Sequence, residues 1–313
     1  MRAATVLEFL AVLWPEVSKE ALRALFARGA VRADGRPISP HGLAGDFSEI
    51  EVHARREDLR AIHHVGGEGT AFRIVHEDDR IVVLDKPSGV PVVPDRSREG
   101  PSCLGLLVTR ELSRRREEGA SSGERIRVVH RIDRLTSGVV LFAKTAESER
   151  TLAGWFERGA VRKEYLALVL GEVAAAQVAV DVPIGPGRKG KMRGGPEGKE
   201  SLTVFTVLEC FTGFTLLRAE PRTGRTHQIR VHAWAMGHPL AVDPLYRVGA
   251  AAQGAMPPAI TRLTLHASSV TLPEEWGGPG RFHAELPYDF RAALEALRAN
   301  RQIERPSPLG HRP

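Results

Sequence analysis

A chain of 313 residues, 42% hydrophobic and 26% charged, is long enough to bury a core in two domains, or in one large domain and one small one. No apolar run approaches ~18 residues, which excludes a membrane-spanning helix. Cys103 and Cys210 stand far apart and outside any CxxC, which excludes a disulfide framework and a thiolate metal site and fits a reducing cytoplasm, while the net charge of +6 permits a polyanionic partner.

In chain order, "TVLEFLAVL" and "SKEALRALFARG" read as two short helices interrupted by Pro15, with Ser18 as N-cap and Gly29 where a helix-ending glycine belongs. Glu8 inside the first apolar patch, and the lack of a small-residue cleavage site, argue against a signal peptide. "AVRADGRPI" is a hairpin signal around Asp34-Gly35, and the alternating "SEIEVHA" reads as a closing strand. Residues 1–70 carry nine Lys and Arg against ten Asp and Glu, yet span 19–36 holds five basic residues and two acidic ones. Lys19, Arg23, Arg28 and Arg32 thus make a basic stretch in an otherwise acidic unit, a candidate for binding phosphates. "VGGEGT" (65–70) reads as a flexible linker that few contacts should cross. The expected division is a unit over 1–58, a linker over 59–71, a large domain over 72–300 and a disordered tail over 301–313.

From residue 72 onward many strands alternate with few helices. "RIVVLD", "GVVLFA", "EYLALVL", "LTVFTVLECFTGFTLLRAEP" and "RLTLHASSVTL" are the strands, while "TAESERTLAGWFERG", "RTHQIRVHAWAMG" and "YDFRAALEALRAN" carry helical periodicity. Hairpin-length spacing between strands points to an α+β fold with a mostly antiparallel or mixed central sheet and flanking helices. Basic residues gather in 110–134 (eight basic, five acidic), 186–199 (five and one) and 218–230 (four and one), a distribution that favours a phosphate backbone as partner.

Several motif-like strings lead nowhere. "GPGRKGKM" ends in Met192 where a P-loop needs Ser or Thr, and "HRID" lacks the companion motifs of a kinase. The twelve histidines form no H-E-x-x-H, and His227 and His232 have no matching ligand set, so no metal is expected. What stands out is Asp133 in "VVHRIDRLTSGVVLFAKT", a carboxylate flanked by Arg131 and Arg134 where a loop enters a buried strand.

"LDKPSGVPVVP" (84–94), "HRIDRLTSGVVLFAKT", "KEYLALVLG" (163–171), "RTGRTHQIRVHAWAMGHPLAVDPLY" (222–246) and "RLTLHASSVTL" (262–272) follow one another in this order. The set closely resembles the RluA-type RNA pseudouridine synthases across most of residues 74–290, with Ile132 where Leu is usual. The N-terminal unit looks like the α-L RNA-binding module. The resemblance implies an isomerase that turns specific uridines of RNA into pseudouridine without cofactor or metal. It implies Asp133 as the catalytic carboxylate, Arg230 of "HQIRVH" as its ion-pair partner and Tyr165 of "KEY" as the aromatic packed on the base. Arg131 is implied as the side chain that enters the space vacated by the flipped nucleotide. Lys86 and Gly89 of "KPSG" are expected to shape the pocket rather than react. By analogy the module points to large-subunit ribosomal RNA, with transfer RNA the other candidate substrate and a monomer the expected state. Attack on the sugar, attack on C6 and proton abstraction at C2′ all stay open. A rival from another class, a ribosome-assembly factor that keeps the fold without turnover, is disfavoured because aspartate, tyrosine and both arginines are all in place. A glycosidase is weaker still, for want of a second carboxylate.

Overall fold

The structure, a computed structural model, describes residues 5–13, 22–23, 25–26, 29–33, 35–43, 46–47, 49–53, 72–94, 103–117, 126–246, 260 and 262–303. At the N-terminus, helix α1 (Val6–Leu13) opens on a capping box. Thr5 N–H donates to Glu8 Oε2 (2.9 Å) and Glu8 N–H donates to Thr5 Oγ1 (3.2 Å), so each residue satisfies a free amide of the other. Strands β1 (Val31–Ala33), β2 (Arg36–Pro37) and β3 (Ile50–Val52) form an antiparallel sheet in the order β2-β1-β3, with Ala33 opposite Arg36 around the expected turn. Val6, Leu10, Leu22, Leu25 and Val31 close a small core of their own. Arg23 is exposed in a helical stretch and Arg32 lies in β1, whereas Lys19, Arg28, the whole linker and the tail beyond 303 lie outside the described residues.

The larger unit begins with β4 (Arg73–Glu77) and β5 (Ile81–Lys86), then helix α2 (Leu104–Glu117), β6 (Arg127–Val128) and β7 (Ser137–Ala143). Helix α3 (Ala146–Glu157) starts where Thr145 Oγ1 accepts from Ser148 N–H, and β8 (Arg162–Leu170), β9 (Gln177–Val180) and the hairpin β10 (Ile184–Pro186)–β11 (Met192–Gly194) follow. The hairpin β12 (Thr203–Phe211)–β13 (Phe214–Pro221) leads to helix α4 (Gln228–Ala235), then β14 (Leu265–Thr271), β15 (Arg281–His283) and helix α5 (Tyr288–Ile303).

The strands join in one mixed sheet, β4-β5-β7-β14-β8-β13-β12-β9, with β6 on β7 and β15 on β14. The fold is α+β, as the strand spacing requires. All pairs are antiparallel except β7–β14, which run parallel. β7 is buried along its whole length because both faces of the sheet are covered there. Val140 and Phe142 pack with Leu104 and Val108 of α2, while Val139, Leu141 and Ala143 pack with Leu152 and Trp155 of α3. The helix expected over "RTHQIRVHAWAMG" begins only at Gln228, because His227 before it adopts a left-handed conformation with φ 57°.

Contacts do cross from the N-terminal residues to the larger unit. Gly29, at φ 68°, lies so close to Asp289 that a Cβ there would overlap its side chain, and the His53 ring stacks on Tyr288 with centroids 5.2 Å apart. The expectation of few contacts across this boundary fails at these two points, where the chain returns over the start of α5.

Candidate active site

The β6–β7 connection carries Asp133, and "KPSG" from the end of β5 fixes its shape. Lys86 is fully buried and uses all three ammonium hydrogens, donating to the carbonyls of Pro87 (2.9 Å), Val90 (2.7 Å) and Arg134 (3.0 Å). Burial pulls its ammonium down to about 7, with the Arg262 charge adding to the effect and Asp133 and Asp85 opposing it. Gly89, at φ 93°, turns its N–H onto the Arg134 carbonyl (2.8 Å), and Ser88 Oγ donates to that of Leu135 (2.7 Å). Lys86, Ser88 and Gly89 thus hold the backbone just after Asp133.

The Asp133 side chain is 21% exposed and faces Arg230 of α4, whose Nη1 donates to Oδ2 at 3.1 Å. Arg230 is 3% exposed and is itself gripped by Asp243, with Nε and Nη2 each 2.8 Å from one carboxylate oxygen. Such a two-pronged pair fixes both position and plane of the guanidinium. Burial alone would lower the guanidinium pKa, but the bonds to Asp243 and Asp133 outweigh it and raise it. Asp243 Oδ1 also accepts from the backbone amides of Leu245 (2.8 Å) and Tyr246 (3.1 Å), and the Tyr246 ring lies 5.1 Å from the guanidinium carbon. Tyr246 Oη accepts from Met192 N–H at 2.8 Å and meets His227 Nδ1 at 2.9 Å.

His227 is the one non-glycine residue with positive φ among the described residues, and strain of this kind collects at functional sites. Its Nε2 stands 4.0 Å from Asp133 Oδ2. Burial, opposed in part by Asp133, holds its imidazole below the ordinary range, so the ring is neutral near pH 7. Gln228 anchors the start of α4: its Oε1 accepts from Thr223 Oγ1 (2.7 Å) and Arg225 N–H (2.9 Å), and its Nε2 donates to Leu202 O (3.0 Å).

Two hollows meet at Asp133. One, of about 450 Å³, runs over β8 and is lined by Tyr165, Lys163, His130 and Phe156; the other, of about 850 Å³, lies toward Pro91, Gly190 and Leu245. Arg131, Asp133, His227 and Arg230 border both. Tyr165 is half-buried, and burial followed by the charge of Asp133 pushes its phenol above the ordinary value, so it stays protonated. Arg131 and Arg134 are exposed at the mouth. Asp133, Tyr165, Arg230 and Arg131 are therefore brought together, while Arg23 and Arg32 belong to the N-terminal unit. Asp243, Tyr246 and His227 were given no role from sequence; the acidic residue and tyrosine of "VDPLY", shortly after an arginine helix, were the available signal.

The chain matches the family model described as RNA pseudouridylate synthase over residues 80–235. It is 34% identical over 295 residues to ribosomal large subunit pseudouridine synthase D of Nitrosomonas europaea, covering 92% of this chain and 83% of that protein. Ribosomal large subunit pseudouridine synthase C of Yersinia pestis is also 34% identical, over 309 residues, covering 95% and 92% of the two chains. Among solved structures, human RNA pseudouridylate synthase domain containing 4 shares the fold with a TM-score of 0.57 at 24% identity, over 72% of this chain and 92% of that one.

Proposed function

Because the chain belongs to the RNA pseudouridylate synthase family, and is an isomerase acting on RNA, we propose that it modifies uridines of large-subunit ribosomal RNA with Asp133 as its catalytic carboxylate. The observation that carries the residue assignment is the ion pair of Asp133 with a guanidinium that Asp243 already holds in place, at the junction of the two hollows. The reaction breaks the C1′–N1 bond, turns the base and joins C5 to C1′, which calls for one positioned carboxylate that stays ionised. Arg230 sets the opposite charge beside it, 3.1 Å from Oδ2. The target base leaves its stack at a cost of a few kcal/mol, offset when it packs on Tyr165 and when Arg131 fills the gap it leaves. The ribosomal substrate rests on the relatives, which are ribosomal large subunit synthases.

The N-terminal unit, read as an α-L module, adds phosphate contacts through the basic residues Lys19, Arg23, Arg28 and Arg32. Large-subunit RNA carrying tritium at C5 of uridine tests the whole reading. Release of tritium to water, followed by mapping of the modified position, is the expected result. Binding without release would favour the assembly-factor reading, and release from transfer RNA alone would replace the proposed substrate.

A further inference from the structure

Lys163 lies on β8 two residues before Tyr165, so the two side chains leave the strand on one face and line the same hollow as Asp133. The residue is 9% exposed. Its ammonium makes one hydrogen bond, to the Thr223 carbonyl at 3.0 Å, where Lys86 makes three. Among the described residues no carboxylate pairs with it, although Asp133 and the exposed Glu157 line the same hollow. The neighbouring His130 ring is neutral, stacked on Phe156 at 4.4 Å and accepting from Leu141 N–H, so it supplies no compensating charge. A buried cation without a counter-charge is costly. Burial accordingly pulls Lys163 down to about 8, which leaves it cationic at neutral pH. With two N–H groups free, the site is built for an electron-rich oxygen that arrives with the substrate.

We propose that Lys163 is a catalytic residue whose ammonium donates to a carbonyl oxygen of the uracil ring and stabilises the base anion formed as the C1′–N1 bond breaks. This rests on the isomerase reading above. Heterolysis leaves the bonding pair on the base, whose charge spreads over N1, O2 and O4. The electron-poor C1′ is captured by the Asp133 carboxylate or quenched by loss of the C2′ proton to it. When C5 bonds to C1′, the Asp133–C1′ bond breaks or the proton held by Asp133 returns to C2′, the C5 hydrogen leaves as a proton and N1 gains one, so no electrons are exchanged with any other reagent. Lys163 keeps its proton throughout. A base whose sugar faces Asp133 and whose ring packs on Tyr165 presents its carbonyl edge along the strand face that carries Lys163.

The test compares wild-type protein, Lys163→Met and Lys163→Arg by tritium release, RNA affinity and thermal melting. The expected result for Lys163→Met is a kcat lowered about a hundredfold or more, the cost typical of one lost donor to a developing oxyanion. Its RNA affinity should stay within about threefold of wild type, and Lys163→Arg should recover much of the rate. A weakened affinity with unchanged kcat would make Lys163 a phosphate contact and overturn the proposal. So would two equally inactive variants with lowered melting temperatures, which would mean that the Thr223 bond only holds the loop. A second measurement uses a synthetic RNA spanning the mapped site with 5-fluorouridine at the target, followed as consumption of that nucleoside in a single turnover. Fluorine stabilises the base anion, so the loss caused by Lys163→Met should shrink, whereas a structural role predicts the same loss on both RNAs. Wild-type protein that releases no tritium would sink the isomerase reading itself; an active wild type matched by Lys163→Met would sink only the role of Lys163.

Discussion

Asp133 keeps a fifth of its side chain open to solvent and Arg230 almost none, so substitutions at the two ends of this ion pair should report different things. Asp133→Asn removes charge and keeps shape. Turnover should vanish while RNA affinity stays within about tenfold, or ~1.4 kcal/mol, of wild type. Residual tritium release above a few per cent would mean that another group does the chemistry. Asp243→Asn should do something else, because it leaves a buried guanidinium short of one counter-charge. Breaking a buried pair in this way costs about 3–5 kcal/mol, so a lowered denaturation midpoint should accompany lost activity. A variant that unfolds like wild type would show that Asp133 alone suffices to hold Arg230. Asp133, Tyr165 and Arg230 were legible in the sequence because each sits inside a short contiguous motif. The grip of Asp243 on Arg230 was not, since thirteen residues of chain separate them and only the closed loop makes them neighbours. His227 escaped for a different reason. Its left-handed backbone sits on a residue type that carries no such signal, where a glycine would have given it away.

Strand β7 illustrates what an element owes to one residue. Gly138 has φ 114°, and a Cβ there would overlap the carbonyl of Ala267, its partner across the parallel β7–β14 pair. Gly138→Ala should therefore break the sheet just behind Asp133 and destabilise well beyond the ~1–2 kcal/mol that a left-handed non-glycine residue costs by itself. Gly35→Ala, at φ 73° with nothing nearby, gives the control, and denaturant unfolding compares the two. Similar melts for both variants would show that the strands slide apart cheaply. β7 was legible as an unbroken apolar run. Helix α2 was not, because "RELSRRRE" dominates its second half as a charge cluster and hides the periodic Leu104, Leu107 and Val108 that face the core. The N-terminal unit tests the other kind of element. Deleting residues 1–55 should spare turnover at saturating RNA and weaken binding of long structured RNA, since the unit contributes local concentration rather than chemistry. The deletion also uncovers Tyr288 and Asp289, so its melting temperature should fall with its affinity. Unchanged binding and modification would show that the module was misread.

At the scale of the whole molecule, buried titratable groups set the response to pH. Burial pushes His130 and His266 from 6.5 down to about 3 in the folded protein. Between those values the unfolded chain binds protons that the folded chain refuses, so stability falls as pH drops. For two such groups the slope is about 2.7 kcal/mol per pH unit at most. Lys86 and Lys163 are held at about 7 and about 8 against 10.5, so their cost is full below those values and is relieved as pH rises toward 10.5. Melting temperature should therefore climb from pH 4 to neutrality, and His266→Asn should flatten the acid limb; an unflattened limb would show that His266 takes up its proton without unfolding the chain. The sheet has a further consequence, in time rather than in energy. β14 lies at the centre of the sheet, between β7 and β8, yet it is made after every strand except β15. Until residues 265–271 have left the ribosome, the nascent chain carries two half-sheets with open edges, Asp133 on one and Tyr165 on the other. Domains that depend on such distant pairings fold late and expose unpaired edges while they wait. A nascent chain that still lacks β14 therefore carries both halves of the pocket and no working enzyme, which keeps it inert beside the ribosome that is making it.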